Sequence, residues 1–388
     1  MDNVTSIDAA RPKVLEFFAG IGLARLGLES AGFRVAWSND YELSKRSMYE
    51  AHFGMGDSSH TFRLGDIAGV TADELPSDAS LAWASSPCTD LSLAGGRAGL
   101  AGKESGTFWE YIRLLRELKT KGALPAVAVL ENVVGLATSH GGDDLVAAIS
   151  AFNELGYSVD VLVIDARRFV AQSRPRLFLV AVTDPSDDVD SVSDLRPDWL
   201  QWVFGDANLR THRAALPAAP AAKLNGFGEL TEAMPRDDAR WWDSERTARF
   251  IGSLSAMQLA RITEMQKMAG SRFRTAYRRT RNGVAMWEVR PDDISGCLRT
   301  ARGGSSKQAV VRLGDGQMQV RWMTPREYAR LMGADDYRLD GVRTNQALFG
   351  FGDAVAVPAV RWLAKNYLVK ALSGGSDSMR PSVDFAHR

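Results

Sequence analysis

Val14-Leu15-Glu16-Phe17-Phe18-Ala19-Gly20-Ile21-Gly22-Leu23 is the stretch that decides the fold of this 388-residue chain. Val14 to Phe18 is an apolar run of strand length, and Leu23 to Ala31 follows with the apolar spacing of a helix. Glycines at the junction let the backbone approach a ligand closely, with helix N-terminal amides facing it. The alternation continues outward. Further strands are expected at Arg34 to Asn39, Phe62 to Gly65, Leu81 to Ser85, Ala126 to Leu130, Ser158 to Ile164 and Leu177 to Val182. Helices are expected at Glu42 to His52, Thr107 to Lys119 and Leu145 to Leu155. Strands alternating with helices mean crossover connections and a mostly parallel sheet covered on both faces, a doubly wound α/β domain.

The composition, 45% hydrophobic and 24% charged, is that of a globular chain and excludes a disordered or fibrous protein. Cys88 and Cys297 are too few for a disulfide framework, and neither sits in a metal-ligand cluster, so a reducing compartment and no metal are expected. No leader pattern opens the chain and no stretch approaches about 18 consecutive apolar residues, so a cytoplasmic protein without membrane contact is expected. The zero net charge hides an imbalance. From Ser271 to Arg312, 10 basic residues stand against 3 acidic ones, interleaved with Phe273, Tyr277 and Trp287. Past Val182, an Asp/Ser stretch and the Ala/Pro run Leu216 to Ala222 read as surface connections. The expected layout is a large domain over 1–198 completed by 345–372, a smaller domain over 199–344 and a disordered tail over 373–388. Within the completing segment, Asp353 to Leu368 has helical apolar spacing that can pack back on the sheet.

Chemistry-bearing residues fall at successive strand ends. Asp40 ends the second strand, where an acidic residue can accept both ribose hydroxyls. Asp66 ends the third, Ser86-Pro87-Cys88 the fourth and Glu131-Asn132-Val133 the fifth. Open α/β sheets bind ligands along that edge. Each position alone has a plainer reading: a tight turn at the glycines, a cap at Asp66, a packed thiol at Cys88. The glycine turn by itself does not separate a dinucleotide from S-adenosylmethionine or from no ligand. Cys88 is followed by Gly95, Gly96, Gly99, Gly102 and Gly106, the composition of a mobile flap, which favours a nucleophile over a packed thiol. Gln172-Ser173-Arg174-Pro175-Arg176 sets two arginines just before an apolar strand, either as solvated charges or as site groups.

Phe17-Phe18-Ala19-Gly20-Ile21-Gly22, Asn39-Asp40, Gly65-Asp66-Ile67, Ser86-Pro87-Cys88, Glu131-Asn132-Val133 and Gln172 to Arg176 occur in this order. Leu331-Met332-Gly333 and Gly352-Asp353-Ala354-Val355 follow. The set resembles the bacterial DNA (cytosine-5) methyltransferase family from Val14 to about Leu368. Each motif is weak or moderate alone, and the order and separations make the set specific.

The resemblance implies a cysteine thiolate, Cys88, adding to C6 of a flipped cytosine. Glu131 would hold N3 and the exocyclic amine, and Arg174 and Arg176 would bind O2. The cofactor would be S-adenosylmethionine. Phe18 would stack on adenine, Gly20 and Gly22 would admit the methionine part, Asp40 would take the ribose and Asp66 with Ile67 the adenine. Leu23, Pro87, Asp353 and Val355 would complete that pocket. Double-stranded DNA would be the partner, contacted by Arg97, Arg272, Arg274, Arg278, Arg279, Arg299, Arg302 and Lys307. In the family the region between the arginine pair and Leu-Met-Gly reads the target, here about Trp199 to Arg321. Leu298 to Lys307 is its best groove or backbone contact, with a solvated basic loop as the alternative. A monomer associated with the nucleoid is expected, with a cognate restriction endonuclease as a possible partner. Thr89 stands where the family has glutamine, and Asp353 where it has asparagine. Asp353 would repel an anionic analogue of the methyl donor. Three alternatives compete: a tRNA cytosine-5 methyltransferase, a non-catalytic DNA-binding member of the fold, and an NAD-dependent dehydrogenase.

Overall fold

The computed structural model describes residues 11–54, 56, 58–87, 100, 102, 106–185, 188, 193–281, 283–299 and 307–373. Cys88, Thr89, Arg97, Arg302 and the expected tail beyond 373 lie outside them.

The first half builds a seven-stranded sheet. Its strands are β1 (Lys13–Phe17), β2 (Arg34–Asp40), β3 (Thr61–Leu64), β4 (Leu81–Ser85), β5 (Val127–Val133), β6 (Ser158–Asp165) and β7 (Pro175–Val182). They lie in the order β3-β2-β1-β4-β5-β7-β6. β1 to β5 run parallel, and β7 runs antiparallel to both β5 and β6. The reversal at β7 lets Gln172 to Arg176 enter the sheet at the edge where β5 ends. The connecting helices are α1 (Leu23–Glu29), α2 (Leu43–Phe53), α3 (Thr107–Thr120) and α4 (Asp143–Glu154). β5 continues three residues beyond the expected end at Leu130, because Glu131, Asn132 and Val133 still pair with Phe178, Leu177 and Arg176.

Alternate residues of each strand feed different cores. Val14, Trp83, Val129 and Phe178 belong to one core, and Leu15, Phe17, Ala84, Leu130 and Leu179 to the other. Every one of these side chains is fully buried, and each contributes about 1.5–3 kcal/mol if it is a large aliphatic or aromatic one. α3 and α4 cover the second core.

The second half contributes α5 (Ser244–Gly252), α6 (Ala256–Lys267), β8 (Arg272–Arg281), β9 (Val284–Val289), β10 (Ala309–Gly314) and β11 (Gln317–Trp322). These strands form an antiparallel sheet in the order β11-β10-β8-β9. Its core packs Phe250, Ile262, Val311 and Val320 with a cluster of Trp242, Trp287 and Trp322.

The chain then returns through α7 (Pro325–Leu331), α8 (Thr344–Asp353) and α9 (Val357–Leu363). Asp353 closes α8 rather than opening the expected helix, which begins at Val357, where Pro358 sits in its first turn. Tyr337, from the span expected in the smaller unit, is buried in the larger core and donates to the carbonyls of Ile21 at 2.8 Å and Met48 at 3.0 Å. Thr344–Ser373 is long and apolar enough to cross a membrane by length and composition, yet 67% of its most apolar window is buried inside the protein. Its apolar residues Val360 and Leu363 pack in the core shared with Leu23 and Leu28 of α1.

Candidate active site

The carboxyl ends of β1, β2, β4 and β5 and the start of β7 open into one cavity of about 1330 Å³, closed on its far side by residues of the smaller sheet and its loops. The position follows from topology. Helices leave β1 and β2 on one side of the sheet and β4 and β5 on the other, and the crevice between them is where such sheets bind ligands.

One half of the cavity is built around Phe18 to Gly20. Phe18 has φ 57, a left-handed conformation uncommon for a bulky residue, and Gly20 also has φ 57. A Cβ added at Gly20 would meet nothing within 4 Å and would project into the cavity, so this turn leaves room for a ligand. Asp40 is 6% exposed and accepts from the amides of Gly20 and Glu42, each at 2.9 Å. Burial raises its pKa, with Lys45 and the two amides opposing. Lys45 pairs with Asp353 at 2.9 Å and with Glu42 at 3.2 Å. Burial disfavours its charge, but Asp353, Asp40 and Glu42 outweigh that and raise its pKa. Asp353 thus shares the single ammonium of Lys45 with Asp40 and Glu42. Beneath lies Glu16, fully buried, accepting from the Arg25 amide at 3.0 Å and from Ser38 Oγ at 2.8 Å.

The other half is built on β5 and β7. Val133 pairs with Arg176, so Glu131, two residues earlier, shares a face with Arg176 on the neighbouring strand. Arg176 Nε lies 3.1 Å from Glu131 Oε1. Asn132, on the opposite face, donates from Nδ2 to Ser86 Oγ at 2.9 Å, fixing the residues that lead into Pro87 and Cys88. Arg174 is 1% exposed, and both terminal nitrogens are committed to backbone carbonyls. Cys297 lies across from the pair. Burial raises its thiol pKa, but Arg174, Arg176 and Arg299 outweigh that and lower it.

Of the residues expected from the sequence, Phe18, Gly20, Leu23, Asp40, Pro87, Glu131, Arg174, Arg176, Asp353 and Val355 line this one cavity, as do Arg278, Arg279 and Arg299. Gly22 does not: it sits under Tyr49 and Phe53, whose ring atoms would lie 2.4 to 2.8 Å from a Cβ there, so its missing side chain serves packing. Asp66 caps the turn Ile67–Gly69 by accepting from the Ala68 amide at 2.9 Å, and Ile67 is buried in the second core. Arg272 donates to the carbonyl of Ala269, Arg274 pairs with Asp293 at 3.7 Å and Lys307 donates to Asn345 at 2.6 Å. Cavity residues the sequence did not single out are Glu16, Lys45, Tyr277, Arg290 and Cys297. The signal available for Tyr277, Arg290 and Cys297 was their place within the basic stretch Ser271 to Arg312.

Known proteins match this arrangement along nearly the whole chain. The profile described as C-5 cytosine-specific DNA methylase matches residues 12–368. Type II methyltransferase M.Bsp6I of Bacillus sp. (strain RFL6) is 30% identical over 91% of this chain and 98% of its own length. Type II methyltransferase M.HpaII of Haemophilus parainfluenzae is 27% identical over 92% of this chain and 89% of its own. In three dimensions the chain is similar to the Dnmt2 methyltransferase of S. pombe, with a TM-score of 0.59 and 16% identity over 95% of this chain and 100% of that one, a likeness of fold. A profile match spanning both halves of the cavity makes the chain an enzyme of the C-5 cytosine-specific DNA methylase family.

Proposed function

We propose that the chain methylates C5 of a cytosine swung out of duplex DNA, with S-adenosylmethionine as donor. The observation that carries this reading is the Glu131–Arg176 pair, set on one sheet face in the same cavity as the Gly20 turn and Asp40. S-adenosylmethionine supplies an electrophilic methyl group when bound. The open space at Gly20, the carboxylate of Asp40 and the apolar faces of Phe18, Leu23 and Val355 suit its methionine part, ribose and adenine.

C5 of cytosine is a poor nucleophile, so the ring must first be made electron-rich. Cys88, one residue beyond the cavity-lining Pro87, adds its thiolate to C6 and drives an electron pair to C5. Glu131 holds N3 and the exocyclic amine and stabilises a proton at N3, while Arg176 holds Glu131 and reaches O2. C5 takes the methyl group, leaving S-adenosylhomocysteine, then gives up its proton to solvent as the thiolate leaves, which restores the aromatic ring. Arg174 is a positioning residue in this scheme. A base inside the duplex cannot reach these groups, and extruding it costs a few kcal/mol. Phosphate contacts from Arg278, Arg279 and Arg299 offset that cost.

The chemistry belongs to 1–198 with 345–372, and target reading to the part of 199–344 that carries the small sheet. One chain supplies both walls of the cavity, so we assign a monomer acting on cytoplasmic DNA. The Type II designation of the relatives supports a restriction–modification setting with a partner endonuclease. The test is incubation with labelled S-adenosylmethionine and plasmid DNA, with tRNA in parallel, followed by bisulfite sequencing. Label is expected at C5 of a defined DNA site, and Glu131→Gln is expected to slow transfer by about 100-fold or more. Label in tRNA alone, or unimpaired transfer by Glu131→Gln, contradicts the proposal.

A further inference from the structure

Arg174 joins two segments that are far apart in sequence and face different ligands. Its Nη1 donates to the Leu298 carbonyl at 2.7 Å and lies 3.2 Å from Cys297 Sγ. Its Nη2 donates to the carbonyls of Gly352 at 2.9 Å and Ala354 at 2.6 Å. Its own backbone is fixed by donation from its amide to Asp165 Oδ1 at 2.6 Å. Gly352 and Ala354 flank Asp353, whose carboxylate meets Lys45 beside Asp40, so this segment forms a wall of the proposed cofactor half. Cys297 and Leu298 lead into Arg299 on the opposite wall, where the target base and its phosphates are proposed to lie. Gln172 ties the same target-side segment to α7: its Oε1 accepts from the Leu298 amide at 3.1 Å, and its Nε2 donates to the Leu331 carbonyl at 2.7 Å.

A guanidinium is a rigid planar fork, so acceptors on its two arms are held at a fixed separation. Any ligand that quiets one arm's acceptors lowers the entropy still to be lost in ordering the other's. We infer that Arg174 couples the two halves of the cavity: filling the cofactor half orders the target-side segment Gly296 to Arg299 before DNA arrives. The inference rests on the function proposed above and assigns Arg174 a positioning role that the methyl-transfer chemistry does not require.

Hydrogen–deuterium exchange on the full chain tests it, using S-adenosylhomocysteine as the probe and no DNA. In the unmodified protein, exchange is expected to slow both around Phe18 to Leu23 and Gly352 to Val355, and by roughly five-fold or more at Gly296 to Arg299. Arg174→Lys, a point charge unable to span both arms, is expected to keep the first effect and lose the second. A purely structural role would change exchange at Gly296 to Arg299 without the probe and leave the probe-induced difference intact. Slowing confined to the cofactor half of the unmodified protein overturns the coupling while leaving the proposed function standing. No slowing at either half overturns both. Equal probe-induced slowing at Gly296 to Arg299 in the variant also overturns it. The arm on the unmodified protein needs no variant, so the inference stays testable even if Arg174→Lys does not fold.

Discussion

Glu16 is a carboxyl group in surroundings that oppose its charge. It is fully buried beneath the cavity, and burial, opposed by Ser38 and Arg25, raises its pKa from 4.5 to about 7. The folded protein therefore holds a proton that the unfolded chain releases above about pH 4.5. The stability this confers is complete below that value and is lost as pH rises through about 7. Glu16→Gln removes the dependence. Between about pH 4.5 and 8, the unfolding free energy of the variant is expected to gain on that of the unmodified protein by on the order of 3 kcal/mol. Denaturant titrations at both pH values measure the difference, and a difference independent of pH contradicts the assignment. At this scale the sequence shows the polar groups that interrupt or border apolar runs, Asp40 at the end of β2, Glu131 near the end of β5 and Arg176 at the start of β7. It does not show Lys45, since most charged residues are solvated, and it sets Glu16 in a buried strand without showing that this carboxylate reaches the cavity.

Among the elements, α1 and α9 meet at a close seam. A Cβ at Gly27 would lie 2.6 Å from Val360 Cβ and 2.9 Å from the Val357 carbonyl, too close for a real side chain. Gly27→Ala is expected to push the helices apart and cost about 1–3 kcal/mol, read as a lower thermal midpoint. An unchanged midpoint contradicts the close packing. The strands of the larger sheet are legible because their apolar runs are continuous; the expected Val14 to Phe18 is Lys13–Phe17. The reversal of β7 is not legible, since Leu177 to Val182 reads as the same buried run in either direction. The smaller sheet is hidden for another reason. β8 carries Arg272, Arg274 and Arg278 on one parity and Arg279 and Arg281 on the other, which blurs the period-two pattern that marks a strand.

At the scale of the molecule, a sheet edge and a basic hairpin face each other across one cavity. Arg278 is exposed, lines that cavity and makes phosphate contact in the proposed complex. Arg278→Ala is expected to reduce the slope of log affinity against log salt by about 0.9. An unchanged slope in a binding titration at several salt concentrations removes Arg278 from the interface. The pairing of the two halves is legible only in part. The basic excess from Ser271 to Arg312 announces a charged surface, but Arg290 and Cys297 meet the sheet edge through tertiary packing alone. The central claim is a temporary bond between Cys88 and C6 of a cytosine held by Glu131. The most direct measurement uses DNA copied with 5-fluorocytosine at every cytosine position, incubated with S-adenosylmethionine and run under denaturing conditions. Fluorine at C5 blocks the proton loss that releases the enzyme, so a covalent complex mapping to Cys88 is expected, absent in Cys88→Ala. Methyl transfer to ordinary DNA without any such complex would contradict the account.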